Sequence, residues 1–267
     1  MVNCENILRN AGIEDHNFEA RELIRFVTGL SPEYALLHGL SQMEEEKLTE
    51  LANKRATGYP LQYIIGEWEF MGLPFKVKEN VLIPRADTET LVEEALKVFN
   101  KGDSVLDLCC GSGCIGISLA KLSGCRVTAV DISDDAVSLT KENAALNGTD
   151  ITVLQGDLFK MPISGEFDGI VCNPPYLTKE DMENLQREVK HEPALALYGG
   201  DDGLDFYRFI INEYTKYLKK GGALIFETGC SQTEDTARLM EKYYADIRII
   251  KDIGGNPRVV TGIKRGM

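Results

Sequence analysis

The segment Asn173-Pro174-Pro175-Tyr176 follows directly on the apolar run Gly169-Ile170-Val171-Cys172. Its residue types suit one chemical task, holding a planar NH2 group for attack. The nitrogen of an amide or of a ring-attached amine has its lone pair delocalised into the neighbouring π-system, so it attacks poorly until it becomes pyramidal. An Asn side-chain oxygen and a main-chain carbonyl that accept its two hydrogens together favour that geometry. Proline fixes its own φ and restricts the residue before it, so Pro174 and Pro175 present a carbonyl in a set direction, while Tyr176 offers a flat face for stacking. Two acceptors remain open on this chemistry, an adenine exocyclic amine and a glutamine side-chain amide. A strand that merely ends in a rigid Pro-Pro turn would give the same four residues, so the motif counts only in context.

The elements that must position it are legible around it. Residues 104–108 read as a short buried strand, followed by Cys109-Cys110-Gly111-Ser112-Gly113-Cys114 and a helical pattern over 115–121. A strand, a glycine turn and a helix start make a nucleotide-type cradle, because glycine lets a ligand approach the backbone. A second strand, 126–131, ends in Asp131 about one βαβ unit later, where a ribose diol is commonly held. A third, 151–155, ends in Gly156-Asp157, and a fourth, 168–172, delivers Asn173. Any one of these acids could cap a helix, although Ser133 and Asp134 suit that role better. Together they place glycines, carboxylates and an amide clamp at one edge of a parallel sheet, where open α/β folds bind ligands.

With those residues in view, the chain resembles the class I S-adenosylmethionine-dependent methyltransferases, and more narrowly the release factor glutamine methyltransferase family. The specific likeness lies in Pro60-Leu61-Gln62-Tyr63-Ile64-Ile65-Gly66, in Phe70-Met71-Gly72-Leu73 and in Val81-Leu82-Ile83-Pro84-Arg85-Ala86-Asp87-Thr88-Glu89, with Glu192-Pro193 and Gly199-Gly200-Asp201-Asp202-Gly203-Leu204 further on. The resemblance implies an α/β fold: a Rossmann-like seven-stranded methyltransferase domain with a small N-terminal helical bundle. It implies a cofactor loop at Cys109, Cys110, Gly111, Ser112 and Gly113, a ribose carboxylate at Asp131 and an adenine-side acid at Asp157 beside Leu158. Asn173, Pro174, Pro175 and Tyr176 would take the substrate amide, with Asn173 also at the cofactor, and Thr88 and Glu89 would lie near the reaction centre. S-adenosyl-L-methionine is the implied donor, S-adenosylhomocysteine the product, and class I peptide chain release factors, at the Gln of their Gly-Gly-Gln loop, the partners. Relatives usually have glycine where this chain has Cys109, and a Cβ there narrows the allowed backbone conformations. Leu158 stands where relatives can carry an aromatic ring.

Composition bounds the alternatives. The chain has 267 residues, 43% of them apolar, which suits one large α/β domain plus a small one. No apolar run approaches a membrane span of ~20 residues, and the N-terminus lacks a secretory pattern, so a soluble, cytoplasmic protein is expected. A net charge of −13 opposes a phosphate backbone, which weighs against a nucleic-acid adenine N6-methyltransferase and against direct nucleic-acid binding. Lys216, Lys219 and Lys220 cluster and read as a solvated helix end. A non-catalytic adaptor would not need Asp131, Asp157 and the amide clamp together. The seven cysteines read as reduced thiols, and Cys109, Cys110 and Cys114 lack the partners of a metal site. Adjacency of the first and fourth strands predicts that Cys109 or Cys110 approaches Cys172, with oxidant sensitivity as the consequence.

Domain boundaries follow from periodicity. Ala20, Leu23, Ile24 and Val27, and then Leu48, Leu51 and Ala52, show helical spacing, and Pro32 after Ser31 marks a helix start. The expected division is a helical domain at 1–72, a β-hairpin linker at 73–84 and the methyltransferase domain at 85–267; the helical part could be a stabilising cap, and the resemblance implies that it docks the protein substrate. Residues 1–75 hold twelve Asp or Glu against six Lys or Arg, which suits a basic protein partner through electrostatic steering. The chemistry expected is direct in-line methyl transfer to the glutamine nitrogen, with no covalent enzyme intermediate and no metal.

Overall fold

Serine and glycine punctuation sets the first helices. In the computed structural model, which describes residues 2–266, these are α1 (Val2–Asn10), α2 (His16–Thr28), α3 (Pro32–His38), α4 (Gln42–Ala56) and α5 (Leu61–Ile65). Ser31 caps α3 by accepting from the Tyr34 amide, with Pro32 at the first helical position. Ser41 and Glu44 form a reciprocal capping box on α4. Gly29 ends α2 at φ 68°. Leu8, Leu23, Ile24, Leu48 and Ala52 fill the core of this helical unit.

The unit comprises residues up to Glu67 together with a later segment, Gln186–His191. Arg55 ties that segment in. Its guanidinium is 3% exposed and binds Glu19 through two bonds of 2.6 and 2.8 Å and Glu188 through one of 2.5 Å. Two carboxylates around one buried cation offset its desolvation.

The second unit starts at Trp68 and takes in the rest of the chain apart from that segment. A hairpin of β1 (Glu67–Phe70) and β2 (Leu73–Lys76) turns on Met71 and Gly72, both at positive φ, as a two-residue turn requires. The expected linker at 73–84 thus takes in only the second strand of the hairpin. Then follow α6 (Ala86–Val98), β3 (Ser104–Leu108), α7 (Cys114–Ser123), β4 (Arg126–Asp131), α8 (Asp134–Leu146), β5 (Thr152–Gln155), β6 (Phe167–Cys172), α9 (Lys179–Glu183), α10 (Asp205–Phe209), β7 (Leu218–Glu227), α11 (Thr233–Met240), β8 (Tyr244–Lys251) and β9 (Pro257–Lys264). Lys219 and Lys220 lie in β7, not at a helix end, and Lys219 is paired with Asp168 at 2.8 Å.

The seven strands run in the order β5-β4-β3-β6-β7-β9-β8. All neighbours are parallel except β9, which is antiparallel to β7 and β8. Alternate residues feed opposite faces: Leu106, Ile170 and Leu224 join one core cluster, and Val105, Val171 and Ile225 the other. From β3 the chain winds outward one way through β4 and β5, then returns to pair β6 on the other side of β3. The crevice between β3 and β6 is therefore the topological switch point, where such sheets bind ligands.

Candidate active site

A cavity of ≈ 450 Å³ opens at that crevice, within the usual size of small-molecule sites. Its floor is the set of strand ends: Cys109, Cys110, Gly111 and Ser112 after β3, Asp131 and Ile132 after β4, Asp157, Leu158 and Phe159 after β5, and Asn173 and Pro175 after β6. Residues 80–85 and Thr88 wall one side, and Pro193, Leu195, Ala196 and Phe206 another.

The loop after β3 is held from behind. Thr140 donates to the Gly111 carbonyl at 2.9 Å and the Asn143 amide to the Ser112 carbonyl at 2.9 Å. Cys109 sits at φ 57°, in the left-handed region, so the position where the resemblance led to the expectation of glycine has a glycine-like conformation with a side chain on it. The Cys109 thiol contacts Cys172, while the Cys110 thiol lies 3.5 Å from the Thr140 hydroxyl. Of the two cysteines expected near Cys172, it is therefore Cys109 that arrives. All seven cysteines are free thiols. Burial pushes the Cys172 thiol far above its ordinary range, which keeps it in the unreactive protonated form. Gly113 caps α7 and is not part of the cavity wall.

Beneath the loop, Asp107 is fully buried and accepts from the Gly116 amide at 2.9 Å, which fastens α7 to β3. Burial raises its carboxyl to about 7. Asp131 accepts from the Gly111 amide at 2.8 Å and the Ser133 amide at 2.9 Å. Burial pushes its pKa up against those two bonds. Asp157 differs: Lys160 lies at 2.8 Å and holds its carboxyl below the usual range. Leu158 is buried in the core cluster. The aromatic surface it lacks stands at the next residue, where Phe159 packs edge-on to Phe206 at 5.1 Å between ring centres.

Asn173 donates its Nδ2 to the Thr88 hydroxyl at 3.3 Å. With the amine engaged, the carboxamide oxygen is the acceptor left for a ligand. Pro174 and Tyr176 lie behind the cavity wall, and burial lifts the Tyr176 hydroxyl to about 12. The backbone of Tyr176 and Leu177 is held by residues 197–199 and by Gln232. The Leu177 amide donates to the Leu197 carbonyl, the Gly199 amide to the Leu177 carbonyl, and Gln232 Nε2 to the Tyr176 carbonyl at 2.9 Å. A Cβ on Gly199 would stand 2.6 Å from the Pro175 oxygen, and one on Gly203 2.2 Å from the Tyr176 oxygen. Glu89 departs from expectation. Its carboxylate accepts from the Met71 amide at 2.6 Å, holding the hairpin turn, and it is not a cavity residue.

Reading the sequence missed Val81, Ile83, Ile132, Phe159 and Phe206 as cavity residues and Glu192 as their organiser. Glu192 is buried, accepts from the Ile83 amide at 3.2 Å and pairs with the Arg85 guanidinium. Ile132 and Phe159 follow the strand-end acids and could have been found from that adjacency. Phe206 has no local signal, since it arrives from a distant helix.

Known proteins bear on this geometry. The family described as "Methyltransferase small domain" matches residues 86–201, and "PrmC N-terminal domain" matches residues 2–66. A protein of Geobacter sulfurreducens named "Release factor glutamine methyltransferase" is 40% identical over 261 residues, covering 96% of this chain and 92% of its own. Its namesake in Clostridium acetobutylicum is 36% identical over 279 residues, covering 100% and 98%. Among solved structures, a methyltransferase of Pyrococcus furiosus superposes with a TM-score of 0.58 at 19% identity over 74% of this chain and 91% of that one. A T. thermophilus 16S rRNA N2 G1207 methyltransferase, in complex with AdoMet and guanosine, gives 0.55 at 18% over 74% and 50%. At such identities the structures speak for the fold alone.

Proposed function

The chain belongs to the release factor glutamine methyltransferase family, and from that membership we infer how its residues divide the work of an S-adenosylmethionine-dependent N5-glutamine methyltransferase. The substrate is a class I peptide chain release factor, modified in the cytoplasm at the glutamine of its Gly-Gly-Gln loop in support of translation termination. This reading is supported by the likeness along nearly the whole chain and by an amide acceptor among the strand ends that line a cavity of small-molecule size. Among the described residues no helix is long and apolar enough to cross a membrane.

The residues present fit the donor. A partly buried Asp131 carboxylate at the cavity offers acceptors for a ribose diol, and Ile132, Leu158 and Phe159 offer apolar surface for a base. When bound, the donor supplies an electrophilic methyl on a sulfonium that loses its charge on transfer. The chain's part is to orient and to keep water out. Asn173 Oδ1 and a carbonyl of the Pro174-Pro175 pair accept the two hydrogens of the glutamine NH2. That directs the nitrogen lone pair along the line of transfer and leaves no need for prior deprotonation. Tyr176, backed by the core, holds the segment flat.

The observation that carries this assignment is the bond from Asn173 Nδ2 to Thr88, which leaves the oxygen as the available acceptor. Asn173→Ala is expected to lower turnover by at least about a hundredfold with little loss of donor binding, whereas Asp131→Ala mainly weakens donor binding. Calorimetry and single-turnover assays separate the two. Wild-type turnover in Asn173→Ala would remove the residue from the mechanism.

A further inference from the structure

Glu227 ends β7, and the division of work described above does not use it. The register that sets Cys172 beside Phe226 brings Glu227 level with Asn173 on the adjacent strand. It is 2% exposed, and its Oε2 has no hydrogen-bond partner. Among the described residues no cation forms an ion pair with it, although Arg258, which acts on its charge, also has a buried Nε without a hydrogen-bond partner. Arg258 on β9 pairs with Asp87 at 2.9 Å and lies 3.6 Å from Asp252, and Arg85 pairs with Glu192. The backbone of Glu227 is pinned by the buried Tyr207, whose hydroxyl donates to its carbonyl at 2.9 Å. The polar group that acts on the carboxylate most is the Thr88 hydroxyl, which accepts from Asn173 on its other side. A buried carboxylate with no paired cation and a bare oxygen is costly, so the fold retains it against its own stability.

Hydrogen-bond polarity gives it a use. An ionised carboxylate only accepts. The single Thr88 proton is drawn toward Glu227, which leaves the Thr88 oxygen to accept on its other side. Asn173 must then turn its NH2 toward Thr88, as it does at 3.3 Å, and its oxygen toward the cavity. Without the carboxylate the Thr88 proton is free to point at Asn173, which favours the flipped carboxamide and sets a donor against the substrate NH2. We propose that Glu227 is a positioning residue of this enzyme, fixing through Thr88 which face of the Asn173 carboxamide meets the glutamine amide. The inference rests on Asn173 being the amide acceptor.

Burial raises the Glu227 carboxyl to about 7, opposed by Thr88 and by Arg258 and Arg85 and aided by Asp87. Cys114 of α7 and Tyr176 also feel its charge. Above that pH the carboxylate accepts from Thr88. Below it the protonated carboxyl can donate to Thr88 and reverse the chain of bonds, so turnover falls as pH drops through about 7.

The test uses the full-length enzyme with an intact release factor. Glu227→Leu is expected to lower turnover about tenfold to a hundredfold, with the donor dissociation constant and the KM for release factor held within about twofold. Glu227→Gln, which can still accept, should retain more turnover than the leucine variant but lose the fall near pH 7. In a Thr88→Val background Glu227→Leu should add nothing. Wild-type turnover in Glu227→Leu, an unchanged acid-side fall in Glu227→Gln, or independent effects of the Thr88 and Glu227 changes would each overturn the proposal. An inactive Asn173→Ala beside a fully active Glu227→Leu refutes this inference alone, whereas an active Asn173→Ala removes the assignment beneath it.

Discussion

Cys109 holds its backbone at φ 57°, a conformation that costs an L-residue about 1–2 kcal/mol. Glycine would relieve that strain but loses about 0.5–1 kcal/mol more in chain freedom on folding. Cys109→Gly is therefore expected to raise stability by no more than about 1 kcal/mol, and Cys109→Val, with a branched Cβ, to lower it. Denaturant titration checks both, and a markedly less stable glycine variant would show that the thiol contact with Cys172 outweighs the strain. That contact was legible from strand adjacency, but its reactivity was not, because only burial in the fold suppresses the Cys172 thiolate. The same holds for acids. Asp131 announces itself by ending the strand after the glycine loop and Asp157 by following a strand and a glycine, whereas Glu227 ends a strand too and looks ordinary until its neighbours are known.

At the scale of elements, the strands, the glycine turn and the hairpin follow from periodicity and turn residues, so the switch-point crevice was readable in advance. The grip on the amide clamp was not, because residues 197–203 bond to Leu177 just past it and pack on it through main-chain atoms, which no side-chain pattern marks. Nor was the place of Glu89, since no spacing rule distinguishes a carboxylate that holds a turn from one that faces a substrate. Gly199 tests the grip. A Cβ there would meet the Pro175 oxygen and the Tyr176 Cα at 2.6 Å, both main chain, so the clamp itself must move. Displacing a reacting group by about 1 Å costs on the order of a hundredfold in rate. Gly199→Ala is expected to lower turnover by at least tenfold while donor affinity, read by calorimetry, stays unchanged. Undiminished turnover would mean that the clamp tolerates displacement.

The whole molecule combines a methyltransferase sheet with a helical unit that the sequence marked by its caps and apolar spacing. The return of Gln186–His191 to the helical unit through Arg55 escaped the sequence, since Glu188 lies more than a hundred residues away from its partner. The clamp suits an adenine amine and a glutamine amide alike, and a net charge of −13 favours the protein amide. The most direct measurement is tandem mass spectrometry of a class I release factor after incubation with the full-length enzyme and S-adenosylmethionine. One added methyl on the glutamine of the Gly-Gly-Gln loop is expected with the wild type and none with Asn173→Ala. A release factor left unmodified, or methylated at another residue, would contradict the account.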